Sequence, residues 1–133
     1  MARIKHLAIK TVDPERLAKF YVDVFEMEIV KRSDTGAVYI TDGYLNLALL
    51  KARGDVPPGL NHFGFAIDDM AAISERLEAA GMEGPKVRPN NPPYAEVRAM
   101  DPDGNMFDLS LHGYQKSEYQ EDRTTKTKTK ERV

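Results

Sequence analysis

The feature that most constrains this chain is that it repeats itself. RIKHLAIKTVDPERLAKFYVDVFEME, from Arg3, lines up with GLNHFGFAIDDMAAISERLEAAGME, from Gly59. Each segment has a histidine near its start, an apolar run, an acidic residue, an amphipathic stretch and then Met-Glu. The ends of the two halves also correspond, YLNLALL (44–50) lying over MFDLSLH (106–112). Self-similarity over this period means two copies of one supersecondary unit. His6 is thereby equivalent to His62, and Asn46 to Asp108. The spacing from His6 to Asn46 is 40 residues and that from His62 to Asp108 is 46, the extra length falling in GPKVRPNNPPY.

Local signals give the unit its form. Asp13 followed by Pro14 is a helix start, with proline at the first helical position. Val12 and Leu17 have the spacing of a hydrophobic staple. Leu17, Phe20, Tyr21 and Val24 then form an apolar stripe suited to a sheet. In the second half Asp68 or Asp69 caps a helix carrying Met70, Ile73, Leu77 and Ala80, and Gly81 suits the residue after its C-cap. Short alternating segments follow each helix, at about 27–33, 36–41 and 44–50, then 85–88, 94–100 and 105–111. Turn signals separate them, including DPDG at 101–104. Each half reads β-α-β-β-β. The expected fold is α+β, two βαβββ modules (about 2–52 and 59–112) forming a curled mixed-sheet cup with helices outside. RGDVPPG (53–59) joins the halves of a single domain over residues 1–115. Residues 116–133 lack periodicity and apolar content, the signature of a disordered tail.

Composition limits the function. At 133 residues the chain can bury one core, and a net charge of −2 offers no basic face for nucleic acid or anionic membrane. There is no cysteine, which removes disulfides, thiolate ligands and a cysteine nucleophile. No apolar run spans a bilayer and MARIKH lacks a signal-peptide core, so a cytoplasmic location is the default expectation.

Side chains alternate across a strand, so parity sorts them. Phe63, Phe65 and Ile67 oppose His62, Gly64 and Ala66. Leu7 and Ile9 oppose Ile4, His6 and Ala8. Leu45, Leu47 and Leu49 oppose Tyr44, Asn46, Ala48 and Leu50, while Phe107, Leu109 and Leu111 oppose Met106, Asp108, Ser110 and His112. Four times over, one face is greasy and the other carries a polar residue flanked by small ones. Gly64 and Ala66 leave room on the concave side, into which His62 points. Two imidazoles and a carboxylate at equivalent positions are ligands suited to Fe(II), Mn(II), Ni(II), Co(II) or Zn(II), with Asn46 a further weak oxygen donor or a substrate contact.

With KHLAIKT and FYVDVFEM, NHFGFAIDD and DPDGNMFDLS, the sequence from residue 2 to about 112 resembles the vicinal oxygen chelate superfamily. That superfamily includes glyoxalase I, extradiol dioxygenases, methylmalonyl-CoA epimerase, fosfomycin resistance enzymes and bleomycin-binding proteins. The resemblance implies paired βαβββ modules curled around a metal, with ligands on the first and last strands of each module. Here those positions are His6, Asn46, His62 and Asp108. It also implies a homodimer, in which many members of this size complete the cup with ligands from both subunits. Two residues depart from the pattern. Asp108 stands where a glutamate is usual, one methylene shorter. Asn46 stands where glyoxalase I places a glutamate, and an amide has no useful basicity near neutral pH. Epimerases carry an amide there, and extradiol dioxygenases need only two histidines and a carboxylate around Fe(II).

Three further residues are read as catalytic candidates. Arg98 shares parity with Tyr94, Glu96 and Met100; it suits an anionic substrate, or else an ion pair with Glu96 or another acid at the rim. Tyr94 can donate a proton or a hydrogen bond. His112 lies about 13 Å along the strand from Asp108, too far to share its ion, and is left to line the entrance, act as an acid or base there, or simply be solvated. The expectation is a mononuclear divalent-metal enzyme with a small oxygen-chelating substrate, Fe(II) favoured, and an extradiol-type dioxygenase ahead of a glyoxalase- or epimerase-like lyase or isomerase. A metal-free antibiotic- or metabolite-binding protein is the alternative from a different class.

Overall fold

The computed structural model of the chain describes residues 1–87 and 97–111. The order of elements is β1 (Arg3–Thr11), α1 (Pro14–Phe25), β2 (Glu28–Arg32), β3 (Val38–Thr41), β4 (Asn46–Lys51), β5 (Gly59–Ala66), α2 (Met70–Ala79), β6 (Lys86–Val87), β7 (Val97–Met100) and β8 (Met106–Ser110). This is βαβββ twice over, as the repeat requires. The strands form one mixed sheet in the order β2-β3-β4-β1-β5-β8-β7-β6, which does not close. Within each module the first and last strands pair in parallel (β1 with β4, β5 with β8), and the modules join through the antiparallel pair β1–β5. The four strands that carry His6, Asn46, His62 and Asp108 are therefore the four at the centre. Among the described residues no helix is long and apolar enough to cross a membrane.

Both helices start where an aspartate caps them. Asp13 accepts from the Arg16 N–H at 3.1 Å and Asp69 from the Ala72 N–H at 3.0 Å. Helix α2 ends in a Schellman arrangement around Gly81 (φ 86°), with the Met82 N–H on the Leu77 carbonyl and the Gly81 N–H on the Glu78 carbonyl. Two apolar clusters fill the helix side of the sheet. Ala18, Val38, Ile40, Leu47 and Leu49 form the first, backed by Leu7, Ile9, Leu17 and Tyr21. Ile67, Val97, Ala99, Phe107 and Leu109 form the second, backed by Phe63, Phe65, Met70, Ile73 and Leu77. Burying a side chain such as Ile40 or Leu49 contributes on the order of 1.5–3 kcal/mol.

Three local expectations need correction. On α1 the buried line runs through Pro14 and Ala18, because the small Ala18 lets the helix settle close to the sheet; Leu17 and Tyr21 join it, whereas Phe20 and Val24 stay 50% and 54% exposed. Val12, the outer half of the expected staple, is also exposed. Ile4 leaves the face of His6, because a register shift makes Lys5 an extra residue and sets Ile4 opposite Phe65. The outer parts of the expected strands at 85–88 and 94–100, and the tail from residue 116, lie outside the described residues.

Helix α1 ends at Glu26, which holds a left-handed conformation (φ 60°) with its side chain exposed. A β-carbon is strained there and glycine is not. Glu26→Gly is expected to stabilise the protein by about 0.5–1 kcal/mol, read as a rise in midpoint on chemical unfolding; an unchanged or lower midpoint would show that Glu26 makes a compensating contact.

Candidate metal centre

Sheet register assembles the site. Asn46 on β4 pairs with His6 on β1, His6 with Gly64 on β5, and Gly64 with Asp108 on β8. These four residues form one row across the four central strands, and His62 sits one step along, opposite Ala8. Paired residues share a face of the sheet. Because Gly64 has no side chain, the space between His6 and Asp108 stays open, and the diagonal neighbour His62 can lean into it.

All the polar members of this group are buried: His6 is 4% exposed, His62 8%, Asp108 1% and Asn46 2%. The His62 Nε2 lies 3.2 Å from Asp108 Oδ2, and the His6 Nε2 lies 3.9 Å from the same oxygen. The two imidazole rings are 5.3 Å apart at their centroids and tilted by 45°. One donor atom from each of His6, His62 and Asp108 falls within 4.8 Å of the others.

Two further residues decide which atoms are presented. Asn61 Oδ1 is 2.7 Å from His62 Nδ1. An amide oxygen only accepts, so Nδ1 carries the proton and donates, leaving Nε2 to face the site. Adjacent residues on a regular strand point to opposite faces. Here the β1–β5 register steps from Ala8↔His62 to Ile9↔Leu60, so Asn61 is the extra residue of a bulge and its amide can turn back to its neighbour. On the other side Arg98 Nε donates to Asp108 Oδ1 at 2.8 Å, with Arg98 Nη1 3.7 Å from the Met106 sulfur. Arg98 and Asp108 are direct partners across β7 and β8, which brings the arginine to the same face.

Burial pushes the Asp108 carboxyl up, but the nearby His62 Nε2 and the Arg98 guanidinium outweigh it and hold the group below its ordinary range. With Nδ1 of His62 committed to Asn61, the Nε2 to Oδ2 contact is favourable only with a positive centre between the two atoms, a proton or a metal ion. Two neutral nitrogens and one anionic oxygen fit a borderline first-row divalent ion. Two donors on one such ion lie at most about 4.2 Å apart, so the group, spread over up to 4.8 Å, has to contract by at least about half an ångström to close on it.

Of the residues singled out from sequence, the structure brings His6, His62 and Asp108 together within one chain, places Asn46 in register beside His6, and sets Arg98 against Asp108. The expected partner of Arg98, Glu96, lies outside the described residues, as do Tyr94 and His112. The contribution of Asn61 was not anticipated. Its place directly before His62 in NHFGFAID was visible, but on an unbroken strand that place would have turned it away.

If the space at residue 64 is what admits the imidazoles, Gly64→Val should cost about 1–3 kcal/mol of stability, still fold by circular dichroism, and abolish stoichiometric Co(II) binding in calorimetry. Retained binding would show that the side chain of residue 64 points elsewhere.

Comparison with known proteins agrees with this architecture. The family model described as Glyoxalase/Bleomycin resistance protein/Dioxygenase superfamily matches residues 3–109. A curated Arabidopsis thaliana protein, "Probable lactoylglutathione lyase, chloroplastic", is 27% identical over 128 residues, covering 84% of this chain and 36% of that protein. Among solved structures, the 2,3-dioxygenase LapB from Pseudomonas sp. KL28 superposes with a TM-score of 0.64 at 22% identity, over 81% of this chain and 40% of that one. Methylmalonyl-CoA epimerase from Mycobacterium tuberculosis gives 0.60 at 16% identity, over 80% and 85% of the two chains. The Mn(II)-bound glyoxalase from Novosphingobium aromaticivorans gives 0.59 at 20% identity, over 80% and 36%. The chain thus spans well under half the length of the lyase and the dioxygenase, and the structural likenesses establish the fold.

Proposed function

The chain belongs to the glyoxalase/bleomycin resistance protein/dioxygenase superfamily, and from that premise we propose that it is a mononuclear divalent-metal enzyme acting on a small oxygen-chelating substrate, with extradiol-type dioxygenation the leading reaction. The observation that carries the reading is the convergence of two buried imidazole nitrogens on one carboxylate oxygen, at 3.2 and 3.9 Å. A structural histidine has no need of a second ring at the same carboxylate oxygen.

In this reading His6 Nε2, His62 Nε2 and Asp108 Oδ2 hold the ion, Fe(II) by preference and Mn(II), Ni(II), Co(II) or Zn(II) otherwise. Asn46 supplies a weak fourth donor or a hydrogen bond to substrate. A bound divalent ion supplies a Lewis acid and a template for a substrate with neighbouring oxygens. The chain's own residues do the rest. Asn61 keeps the proton of His62 on Nδ1, Arg98 anchors Asp108, and the small Ala8, Ala48 and Gly64 shape a hollow beside the donors. Tyr94 and His112 remain candidate proton-transfer groups. The protein is proposed to work as a cytoplasmic homodimer, each catalytic domain covering residues 1–115.

The lyase or isomerase reading draws support from the curated relative, whose name is that of a lyase. Its difficulty is the base. Asn46 cannot accept a proton at neutral pH, so proton transfer at a carbon beside a carbonyl would fall to another group. The metal-free binding reading is the weakest, since a carrier gains nothing from three converging donors.

Anaerobic titration of metal-depleted protein with Fe(II) should give one ion per chain, and the loaded protein should consume oxygen with a panel of catechols. Oxygen uptake absent across that panel, with solvent deuterium entering a 2-hydroxycarbonyl substrate instead, would transfer the assignment to the lyase or isomerase branch. The absence of stoichiometric metal binding would leave the metal-free carrier.

Because Asn61 fixes the tautomer of His62, Asn61→Ala is expected to weaken Co(II) affinity by roughly 10–100-fold while the fold is retained; unchanged affinity would remove Asn61 from the site.

A further inference from the structure

Arg98 does something at this centre that an ordinary surface arginine does not. Its Nε lies 2.8 Å from Asp108 Oδ1, and it is only 27% exposed beside a carboxylate that is 1% exposed. The two oxygens of Asp108 are therefore divided: Oδ1 answers to the guanidinium and Oδ2 to the imidazoles. The pairing is built into the sheet, because Arg98 and Asp108 are register partners on β7 and β8 and the Met106 sulfur lies against the guanidinium on the same face.

The charge count then becomes unusual. Two neutral histidines and one carboxylate around a divalent ion leave a net charge of +1. Adding the arginine that neutralises that carboxylate makes the group +2 among the described residues. Charge in a buried site acts through a low effective dielectric, so one added positive charge discriminates between ligands of different valence. The geometry points to Arg98 as a positioning residue with two effects, resting on the metal-enzyme reading above: it confines Asp108 to a single donor oxygen, and it tunes the loaded centre to oxygen chelators carrying two negative charges rather than one. In this role the influence of Arg98 on substrate choice passes through the charge of the site.

The test uses full-length protein loaded with Co(II) and two probes that close rings of the same size through two oxygens, oxalate as the dianion and lactate as the monoanion. Dissociation constants are read from the visible Co(II) spectrum, with retained cobalt measured after desalting to exclude stripping. The ratio of the two constants is compared in wild type, Arg98→Gln and Arg98→Lys. Arg98→Gln is expected to lower the oxalate preference about tenfold, by the loss of one unit of charge at close range, and Arg98→Lys to keep it. A ratio unchanged in Arg98→Gln overturns the proposal, and so does an equal fall in Arg98→Lys, which would assign the effect to guanidinium geometry. If wild type takes up no stoichiometric Co(II), the metal reading itself fails and this inference with it. Stoichiometric Co(II) with an insensitive ratio sinks only the charge-tuning role.

Discussion

A carboxylate at the centre of a sheet, with almost no access to water, is the constraint around which the rest of this molecule is arranged. Ionised Asp108 would be costly to bury alone, by several kcal/mol after relaxation. The protein meets part of that cost with a guanidinium on Oδ1 and turns Oδ2 towards two imidazole nitrogens, where a cation between the three atoms would meet the rest. None of these groups adjoins Asp108 in sequence. They arrive from β7, β5 and β1, so the whole central sheet has to form before the carboxylate is satisfied.

Duplication explains why such a place exists. Two copies of βαβββ, joined edge to edge through β1 and β5, bring the first and last strands of both modules to the middle of a single sheet. Equivalent positions in the copies then meet near an approximate twofold relation. The symmetry is broken at the last strands: Asn46 is neutral and Asp108 is charged, so these two equivalent positions supply one acid among the described residues. A second carboxylate would raise the cost of burial and would also supply a base. The oxygenase chemistry proposed above needs three donors and open positions and makes no call on a second carboxylate at these equivalent positions.

Much of this was legible in the sequence, for reasons that can be named. The repeat dictated the module, and strict alternation in NHFGFAID and MFDLSL sorted core from cavity without any knowledge of strand order. The capping aspartates Asp13 and Asp69 set the helix starts. What escaped was whatever depends on departures from regular strands. The extra residues Lys5 and Asn61 break the parity rule on which face assignments rest, so strict alternation sets Ile4 on the wrong side and turns Asn61 away from His62. The pairing of Arg98 with Asp108 needed the β7–β8 register, which pattern alone does not supply. On α1, hydrophobic spacing pointed to Phe20 and Val24, whereas close approach to the sheet selected the small Ala18.

The central claim is positional: one cation, held by three named atoms, within a single chain. Anomalous diffraction from crystals of the full-length protein grown with Co(II), collected on both sides of the cobalt edge, addresses it without reference to any reaction. The account predicts one strong peak per chain, about 2.0–2.3 Å from His6 Nε2, His62 Nε2 and Asp108 Oδ2. A peak confined to exposed carboxylates, with the hollow between β1, β5 and β8 empty, would contradict it.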